Sequence, residues 1–172
     1  MTEPIIIQDY DSLWPERFEI LRSRISAGLD GLATAIEHIG STAVPGLAGK
    51  PVIDIDVLLK SDANLSLAIS RLSDLGYEHR GNLGIAGREA FQAPLDDFPH
   101  HLYVCSPGSQ TYERHIAFRD HLRTHPSDAD AYARLKRKLA TKFDADREAF
   151  TQGKSEFVEE ILRRATSASE RR

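Results

Sequence analysis

Apolar residues follow two different periodicities along this chain. In the first part, short runs alternate between apolar and polar residues, as in half-buried strands, and two longer runs have the spacing of a helix. Beyond Pro107 the pattern is helical and rich in charge. The predicted elements are helices over 14–29 and 62–75, strands over 33–39, 51–59, 88–93 and 101–105, and then helices over 112–123, 127–150 and 154–168. Strands early and helices late predict an α+β domain with one sheet and a helical C-terminal section.

Capping residues indicate where two of the helices begin. Asp11 or Ser12 can cap the first helix, and Ser127 with Asp130 occupies capping-box-like positions at the start of the predicted 127–150 helix. The apolar run at 5–7 is predicted to be either a short strand or an extended arm.

Length and composition restrict the class of protein. The 172 residues are expected to form one domain over 1–172, with a sheet-containing core over 1–108 and C-terminal helices over 109–168. A net charge of −4 argues against a general nucleic-acid binder. A single cysteine, Cys105, excludes an internal disulfide and is predicted to be buried in a strand. Neither a signal-peptide pattern nor an apolar run long enough to span a membrane occurs, so a cytoplasmic protein with no membrane partner is expected.

Two acids stand in the strand predicted over 51–59. Asp54 and Asp56 are two positions apart, so they lie on the same face, whereas Ile53, Ile55 and Val57 lie on the other face as an apolar row. Carboxylates are poor strand formers and are costly to desolvate unless a cation or hydrogen bonds compensate. The pair is therefore a candidate catalytic and metal site.

A turn of small residues precedes that strand. At Gly40-Ser41, backbone N–H groups and a hydroxyl can approach phosphate oxygens closely. Asp54 and Asp56 could hold Mg²⁺ or Mn²⁺, hard cations that share their ligand shell with nucleotide phosphates. The pairing of turn and strand favours a metal–phosphate site, and the alternative that it leaves open is a solvated edge strand.

Longer runs of the chain resemble the GrpB family over nearly its whole length. The resemblance rests on EHIGSTAVPGL at 37–47, KPVIDI at 50–55, the surroundings of Trp14 and Phe18, FRDHLRTHP at 118–126, YARLK at 132–136 and KSEF at 154–157. It implies the nucleotidyltransferase superfamily, with the fold of DNA polymerase β-like enzymes and a single mixed sheet flanked by helices. In actinobacteria a similar domain is fused behind dephospho-coenzyme A kinase. The resemblance implies no established biochemical role.

One departure from the superfamily pattern concerns the third metal carboxylate. Active members carry it on a later strand, where this chain has His100-His101-Leu102-Tyr103. On a strand only one of the two histidines can join Asp54 and Asp56, and His101 and Tyr103 are expected to share a face. Either His101 or His100 could contact a metal or a phosphate, and the alternative is a histidine hydrogen-bonded within the sheet. Glu89 is a possible substitute on a strand, and Asp96-Asp97 is predicted to be a turn. Without a third acid, the chain would hold one metal or only bind a nucleotide.

Basic and polar residues complete the predicted phosphate site. Arg119 and Arg123 are four apart on a predicted helix and project together, although Arg119 is not expected to pair with its neighbour Asp120. The run at 136–138 is interpreted as solvated surface, and the large aromatic residues are interpreted as core. The predicted nucleotide-binding residues are Gly40, Ser41, Thr42, Lys50, Arg88, His101, Arg119, Arg123 and Lys154.

Two functional hypotheses follow. The first is a Mg²⁺-dependent nucleotidyltransferase that moves a nucleotidyl group from a nucleoside triphosphate to an unknown acceptor. The second is a non-catalytic nucleotide- or coenzyme-binding module that assists a partner enzyme, which the absence of an evident third acid favours. An accessory scaffold and a histidine-dependent phosphohydrolase are further alternatives. The acceptor, the base and the oligomeric state do not follow from the sequence.

Overall fold

A computed structural model describes residues 3–95 and 98–169, and the side chains of 168 and 169 are not considered. Asp96-Asp97, predicted above to be a turn, lies outside the described residues. The helices and strands within the described ranges are α1 (Trp14–Leu29), β1 (Ala33–Ile39), β2 (Ile53–Leu59), α2 (Leu65–Asp74), β3 (Glu78–His79), β4 (Arg88–Gln92), β5 (His100–Cys105), α3 (Gln110–Thr124), α4 (Pro126–Phe143), α5 (Arg147–Gly153) and α6 (Ser155–Ser169).

The strands form one mixed sheet in the order β1-β2-β5-β4-β3. β2 runs parallel to β5 and antiparallel to β1, and β4 is antiparallel to both β5 and β3. With helices packed around it, this sheet confirms the predicted α+β architecture.

One face of the sheet carries the main hydrophobic core. The apolar row of β2 faces the apolar stripe of α1 and the buried side of α2. Trp14, Phe18, Leu21, Ile25 and Leu29 are all buried in α1, as the helical spacing predicts. The other face of β2, an interior strand, carries Asp54 and Asp56, and Asp56 there contacts His115 of the C-terminal helix α3.

The prediction of a single helix over 127–150 is wrong, because the structure has two helices there, α4 and α5. α4 ends at Phe143, and Asp144 has a φ of 42°, which a right-handed helix does not allow. α5 begins at Arg147 after a cap from Asp146, whose side chain accepts a hydrogen bond from the N–H of Ala149. This break lets Phe150 and the residues after it turn back towards the sheet, where they reach the site described below.

The predicted caps also differ from the structure. α1 has Leu13 at its N-cap with no side-chain cap, and the Asp11 side chain instead accepts a hydrogen bond from the N–H of Leu13. α4 begins with Pro126 in its first turn and has no side-chain cap, so the capping box at Ser127 and Asp130 is absent.

The 5–7 run is an extended arm, because the N-terminal segment joins the sheet region through a single bridge between Gln8 and Gly49. Cys105 is buried in β5, as predicted. None of the described helices combines the length and the apolar character needed to cross a bilayer.

Candidate active site

The candidate site lies where the strands end on one side of the sheet: β1 and β4 finish there, and β2 and β5 start there. Four residues pair across the strands there in a single row: Ile39 with Asp54, Asp54 with His101, and His101 with Gln92. Paired residues of neighbouring strands lie on the same face, so Asp54 and His101 project together. This row brings together residues that lie 47 positions apart in the chain.

Asp54 is held from two sides. Its Oδ1 accepts a hydrogen bond from Nδ1 of His101 at 2.7 Å, and its Oδ2 lies against the backbone of Gly40. A Cβ on Gly40 would come within 2.5 Å of that oxygen. The Asp54 carboxylate therefore has a fixed orientation, and the Gly40 turn packs against it.

Asp56 is fully buried, with 0% of its side chain exposed. Its Oδ2 accepts a hydrogen bond from Nδ1 of His115 in α3 at 2.7 Å, whereas its Oδ1 has no partner in the part of the chain that the structure describes. Burial raises the pKa of this carboxyl group, and the hydrogen bond and charge of His115 oppose the rise. An unpartnered buried carboxylate oxygen costs free energy, and a bound cation would remove that cost.

Sequence reasoning missed His115, since a histidine on a charged helix resembles surface. It lies 59 positions from Asp56, and only the packing of α3 on the polar face of the sheet brings the two together.

The turn after β1 is shaped by glycine and threonine. Gly40 has φ 72° and ψ −171°, a combination that is essentially restricted to glycine, and a short 3₁₀ helix over Ser41–Ala43 follows it. The hydroxyl of buried Thr42 lies 2.8 Å from Nε2 of His38, which fixes the turn to the end of β1. Burial lowers the pKa of His38 to about 4, so this imidazole is neutral at pH 7.

The interpretation of the 136–138 run as solvated surface is wrong for Lys136, because only 3% of this residue is exposed. Its Nζ donates to the Ser41 hydroxyl at 2.6 Å and to the carbonyl oxygen of Ala48, and it lies 4.6 Å from the centre of the Tyr132 ring. These contacts hold both ends of the loop between β1 and β2 to α4. They also leave the hydroxyl hydrogen of Ser41 available to a ligand.

Three lysines converge on a cavity of about 280 Å³ beside Asp54. Lys50 and Lys154 lie 4.4 and 4.7 Å from the centre of the Phe150 ring, and Lys136 lies across the cavity against Ser41. Burial lowers the pKa of all three ammonium groups, that of Lys136 to about 7. The charge of Lys154 contributes to the low pKa of Lys136, and that of Lys50 to the low pKa of Lys154. Such a crowded set of cations favours a polyanion.

Most of the predicted phosphate residues share this cavity. Its lining includes Ser41, Thr42, Lys50, Asp54, His101 and Lys154. Phe150, interpreted as core, is buried as expected but also lines the cavity beneath the lysines.

Arg88 lies on β4, on the same face of the sheet as Tyr103 and Asp56. Its guanidinium stacks 4.4 Å from the centre of the Tyr103 ring, and its positive charge acts on Asp56. It is not among the residues that line the lysine cavity.

Arg119 and Arg123 line a different cavity, of about 370 Å³, beside α1. Arg119 is buried and binds Glu37 at 2.7 Å and Asp120 at 2.8 Å, so the expectation that it would not pair with its neighbour is wrong. The long arginine side chain curls back along the helix, which the spacing rule for helix faces does not consider. Arg123 donates to the carbonyl oxygen of Ala43 and braces the turn from behind.

The position expected for a third acid is filled by His101 and Tyr103, which pair with Asp54 and Asp56. Glu89 pairs with Val104 on the opposite face and binds His79 at 2.6 Å. His100 also faces away, with its Nε2 2.7 Å from the Tyr77 hydroxyl. Within residues 3–95 and 98–169, no group of three or more histidine, cysteine or acidic side chains is arranged to hold a metal ion. A cation here would have two carboxylates and would need oxygen ligands from a substrate or water.

Comparisons with known proteins agree with the sequence resemblance. The model of the family described as "GrpB protein" matches residues 4–164. UPF0157 protein PA4798 of Pseudomonas aeruginosa is 39% identical over 163 residues, covering 92% of this chain and 66% of its own. UPF0157 protein YqkA of Bacillus subtilis is 36% identical over 149 residues, covering 87% of this chain and 43% of its own, so this chain spans less than two thirds of either relative.

A solved structure extends the likeness to three dimensions. The crystal structure of conserved protein GrpB from Enterococcus faecalis superposes with a TM-score of 0.85 at 31% identity, covering 95% of this chain and 99% of that one.

Proposed function

The chain belongs to the GrpB family, and we propose that it is a Mg²⁺-dependent nucleotidyltransferase acting on a nucleoside triphosphate and an acceptor hydroxyl. The observation that carries the proposal is the position of Asp54 and Asp56 on one face of β2, with Asp54 lining a cavity that three lysines and Ser41 also line. Carboxylates that attract a cation and lysines that attract phosphates are the two requirements of a metal–triphosphate site.

Each part of the site has a role in this proposal. Asp54 and Asp56 hold the metal, which when bound neutralises phosphate charge and orients the triphosphate. The unpartnered Oδ1 of Asp56 is the atom that most needs such a cation, so the donor set fits the ion. The backbone of the Gly40 turn and the Ser41 hydroxyl donate to phosphate oxygens. Lys50, Lys136 and Lys154 bind the leaving pyrophosphate.

The transfer step makes one bond and breaks one. The acceptor oxygen bonds to the α-phosphorus, and the bond from that phosphorus to the bridging oxygen of the pyrophosphate breaks. Since Nδ1 of His101 donates to Asp54, Nε2 is the nitrogen that can take the proton from the acceptor hydroxyl. Tyr103, on the same face, lies next to the path of this proton.

The test is calorimetric titration with non-hydrolysable nucleoside triphosphates, with and without Mg²⁺ or Mn²⁺. We expect metal-dependent binding that Asp54→Asn/Asp56→Asn abolishes. The matched control is Asp62→Asn/Asp74→Asn, which removes the same charge from two exposed acids far from the site. Metal-independent binding, or a double variant that binds like the wild type, would remove the basis of the proposal.

A non-catalytic nucleotide- or coenzyme-binding module is the second candidate. The observation in its favour is that His101 and Tyr103 stand where a third carboxylate would be needed for two metals. This candidate predicts that triphosphate binds but that no acceptor is ever modified. It also predicts that Asp56→Asn is tolerated in vivo, whereas a transferase would lose its activity.

A further inference from the structure

A second cavity of about 480 Å³ lies over the ends of β4 and β5. Its size is typical of sites for small organic molecules. Its lining is mainly apolar and comes from four parts of the chain: Val52 before β2, the segment between β3 and β4, β4 with the segment after it, and the start of β5 with the residues before it. The larger apolar members of the lining include Leu83, Phe91, Pro94, Leu95, Phe98 and Pro99.

Two exposed leucines lie on the rim of this cavity, and one of them has a strained backbone conformation. Leu83 has a φ of 49°, in the left-handed region that costs a leucine about 1–2 kcal/mol, and it is 65% exposed. Leu95 is 92% exposed on the same rim. The exposed Leu83 side chain does not offset its backbone strain through burial, and strain of this kind is concentrated at functional sites.

The apolar cavity and the lysine cavity share one wall. Val52, His101 and Tyr103 line both. β5 lies between β2 and β4 in the sheet, so the lysines lie on the β2 side of this wall and the apolar cavity extends over β4. A molecule in the apolar cavity therefore has its inner end at His101, next to Asp54.

We infer that the apolar cavity binds the acceptor, a small molecule whose aromatic or aliphatic body fills the cavity and whose hydroxyl group lies at His101 and Tyr103. The inference rests on the proposed function and names the class of substrate that it uses. In-line displacement requires the attacking oxygen and the leaving pyrophosphate on opposite sides of the α-phosphorus. The two cavities lie on either side of the wall formed by Val52, His101 and Tyr103, so an acceptor in one and the pyrophosphate in the other would approach the α-phosphorus from different sides.

The polar groups of the cavity favour this class of acceptor over an acidic one. Arg80 is the arginine among the described lining residues, and its guanidinium is bonded to the side-chain oxygen of Gln92 and lies 3.2 Å from Glu78. Its charge is therefore already paired. Recognition then rests on apolar contact with the body of the acceptor and on the imidazole and phenol at the inner end.

The test uses 2-phenylethanol as an apolar probe and glycerol as a polar one, each with Mg²⁺ and a nucleoside triphosphate. Saturation-transfer NMR with a non-hydrolysable triphosphate measures probe binding, and mass spectrometry with a hydrolysable one measures nucleotidyl transfer to the probe. We expect binding and transfer to favour 2-phenylethanol over glycerol by at least tenfold. Equal use of the two alcohols, or use of glycerol alone, overturns the inference.

Two variants locate the probe. Ala90, buried on β4 and part of the lining, becomes a cavity-filling residue in Ala90→Leu, which should weaken 2-phenylethanol binding at least tenfold. Leu83→Asn tests the rim without a packing change, since asparagine accepts the left-handed conformation, and should weaken binding at least threefold. Leu67→Asn, on an exposed leucine of α2, is the control and should have no effect.

The outcomes separate the two proposals. Triphosphate affinity should stay within twofold of wild type in all three variants. If the wild type binds triphosphate but the two cavity variants bind 2-phenylethanol as it does, the acceptor site is elsewhere and the transferase proposal stands. If the wild type binds no triphosphate with any metal, the transferase proposal fails, and the acceptor role fails with it even if the alcohol still binds.

Discussion

Nδ1 of His115 donates to Oδ2 of Asp56 at 2.7 Å, and this bond is the one polar contact of that fully buried carboxylate among the described residues. The bond leaves the buried Oδ1 without a hydrogen-bond partner among the described residues and restricts the orientation of the carboxylate. In the proposed function His115 is therefore a positioning residue, which would act on a bound metal through Asp56.

Replacing His115 with leucine should weaken metal binding. The Asp56 carboxylate would lose its hydrogen bond and a neighbouring positive charge, so burial would favour its protonated form, which does not bind a cation. We expect Mn²⁺ affinity, measured by calorimetry with a non-hydrolysable triphosphate, to fall at least tenfold.

His79→Leu is the matched control, since His79 is as exposed as His115 and binds Glu89 at 2.6 Å on another part of the sheet. Its loss should leave Mn²⁺ affinity unchanged. Equal effects of the two substitutions would mean that His115 contributes to folding rather than to the site.

The Lys136 ammonium group should give nucleotide binding a characteristic pH dependence. Its pKa is lowered to about 7, first by burial and then by Lys154, and a bound triphosphate would raise it. Above pH 7 the free protein must take up a proton when the anion binds. Affinity should therefore fall by up to about tenfold for each pH unit above 7, which titrations in buffers of different ionisation enthalpy can measure.

Lys136→Met should remove that slope and lower the affinity at pH 7. Lys138→Met, at an exposed position on the same helix, should keep both. If Lys136 only tied the loop to α4, the variant would lose stability, but the pH slope of binding would remain.

The strand pattern predicted much of this site, and the parts that it missed depend on contacts across the fold. The two-residue period of β2 was sufficient to place Asp54 and Asp56 on one face, and the same period in β5 placed His101 and Tyr103 on a common face, although it left open which histidine meets Asp54. Lys136 lies in a run of three basic residues that has the composition of solvated surface. Its burial follows from a loop 88 and 95 positions earlier that packs on α4, and local periodicity carries no such information.

The broken C-terminal helix was missed for a different reason. Helical spacing continues through 127–150. Nothing in the sequence around Asp144 indicates that this residue adopts a φ of 42° and ends the helix. The break matters for the site, because it directs Phe150 and Lys154 into the lysine cavity.

His38 should make the protein sensitive to acid. Its pKa is about 4 in the folded protein, mainly because it is buried, against 6.5 for the free side chain. The unfolded chain therefore binds more protons between these values, so stability is complete above pH 6.5 and is lost as the pH falls towards 4. Between pH 7 and pH 5 the loss from this group is about 2 kcal/mol.

His38→Gln keeps a polar partner for Thr42 but does not titrate. Urea unfolding with a chelator present should show that the variant loses less stability than the wild type between pH 7 and pH 5. Parallel losses in the two proteins would show that His38 is already protonated in the fold or does not become charged on unfolding.

Gly40→Ala should damage the candidate site more than it damages the fold. The new Cβ would lie 2.5 Å from Oδ2 of Asp54, and the backbone conformation of Gly40 costs other residues about 1–3 kcal/mol. The strain lowers the free energy of unfolding, and the contact with Asp54 forces its carboxylate to move. Metal-dependent triphosphate affinity should therefore fall at least tenfold.

Gly46→Ala, in the same loop, separates the two effects, since Gly46 also has a positive φ, 81°, but a Cβ there meets no atom within 4 Å. It should lower stability while binding triphosphate as the wild type does, and equal loss of binding in both variants would place the phosphates away from Asp54.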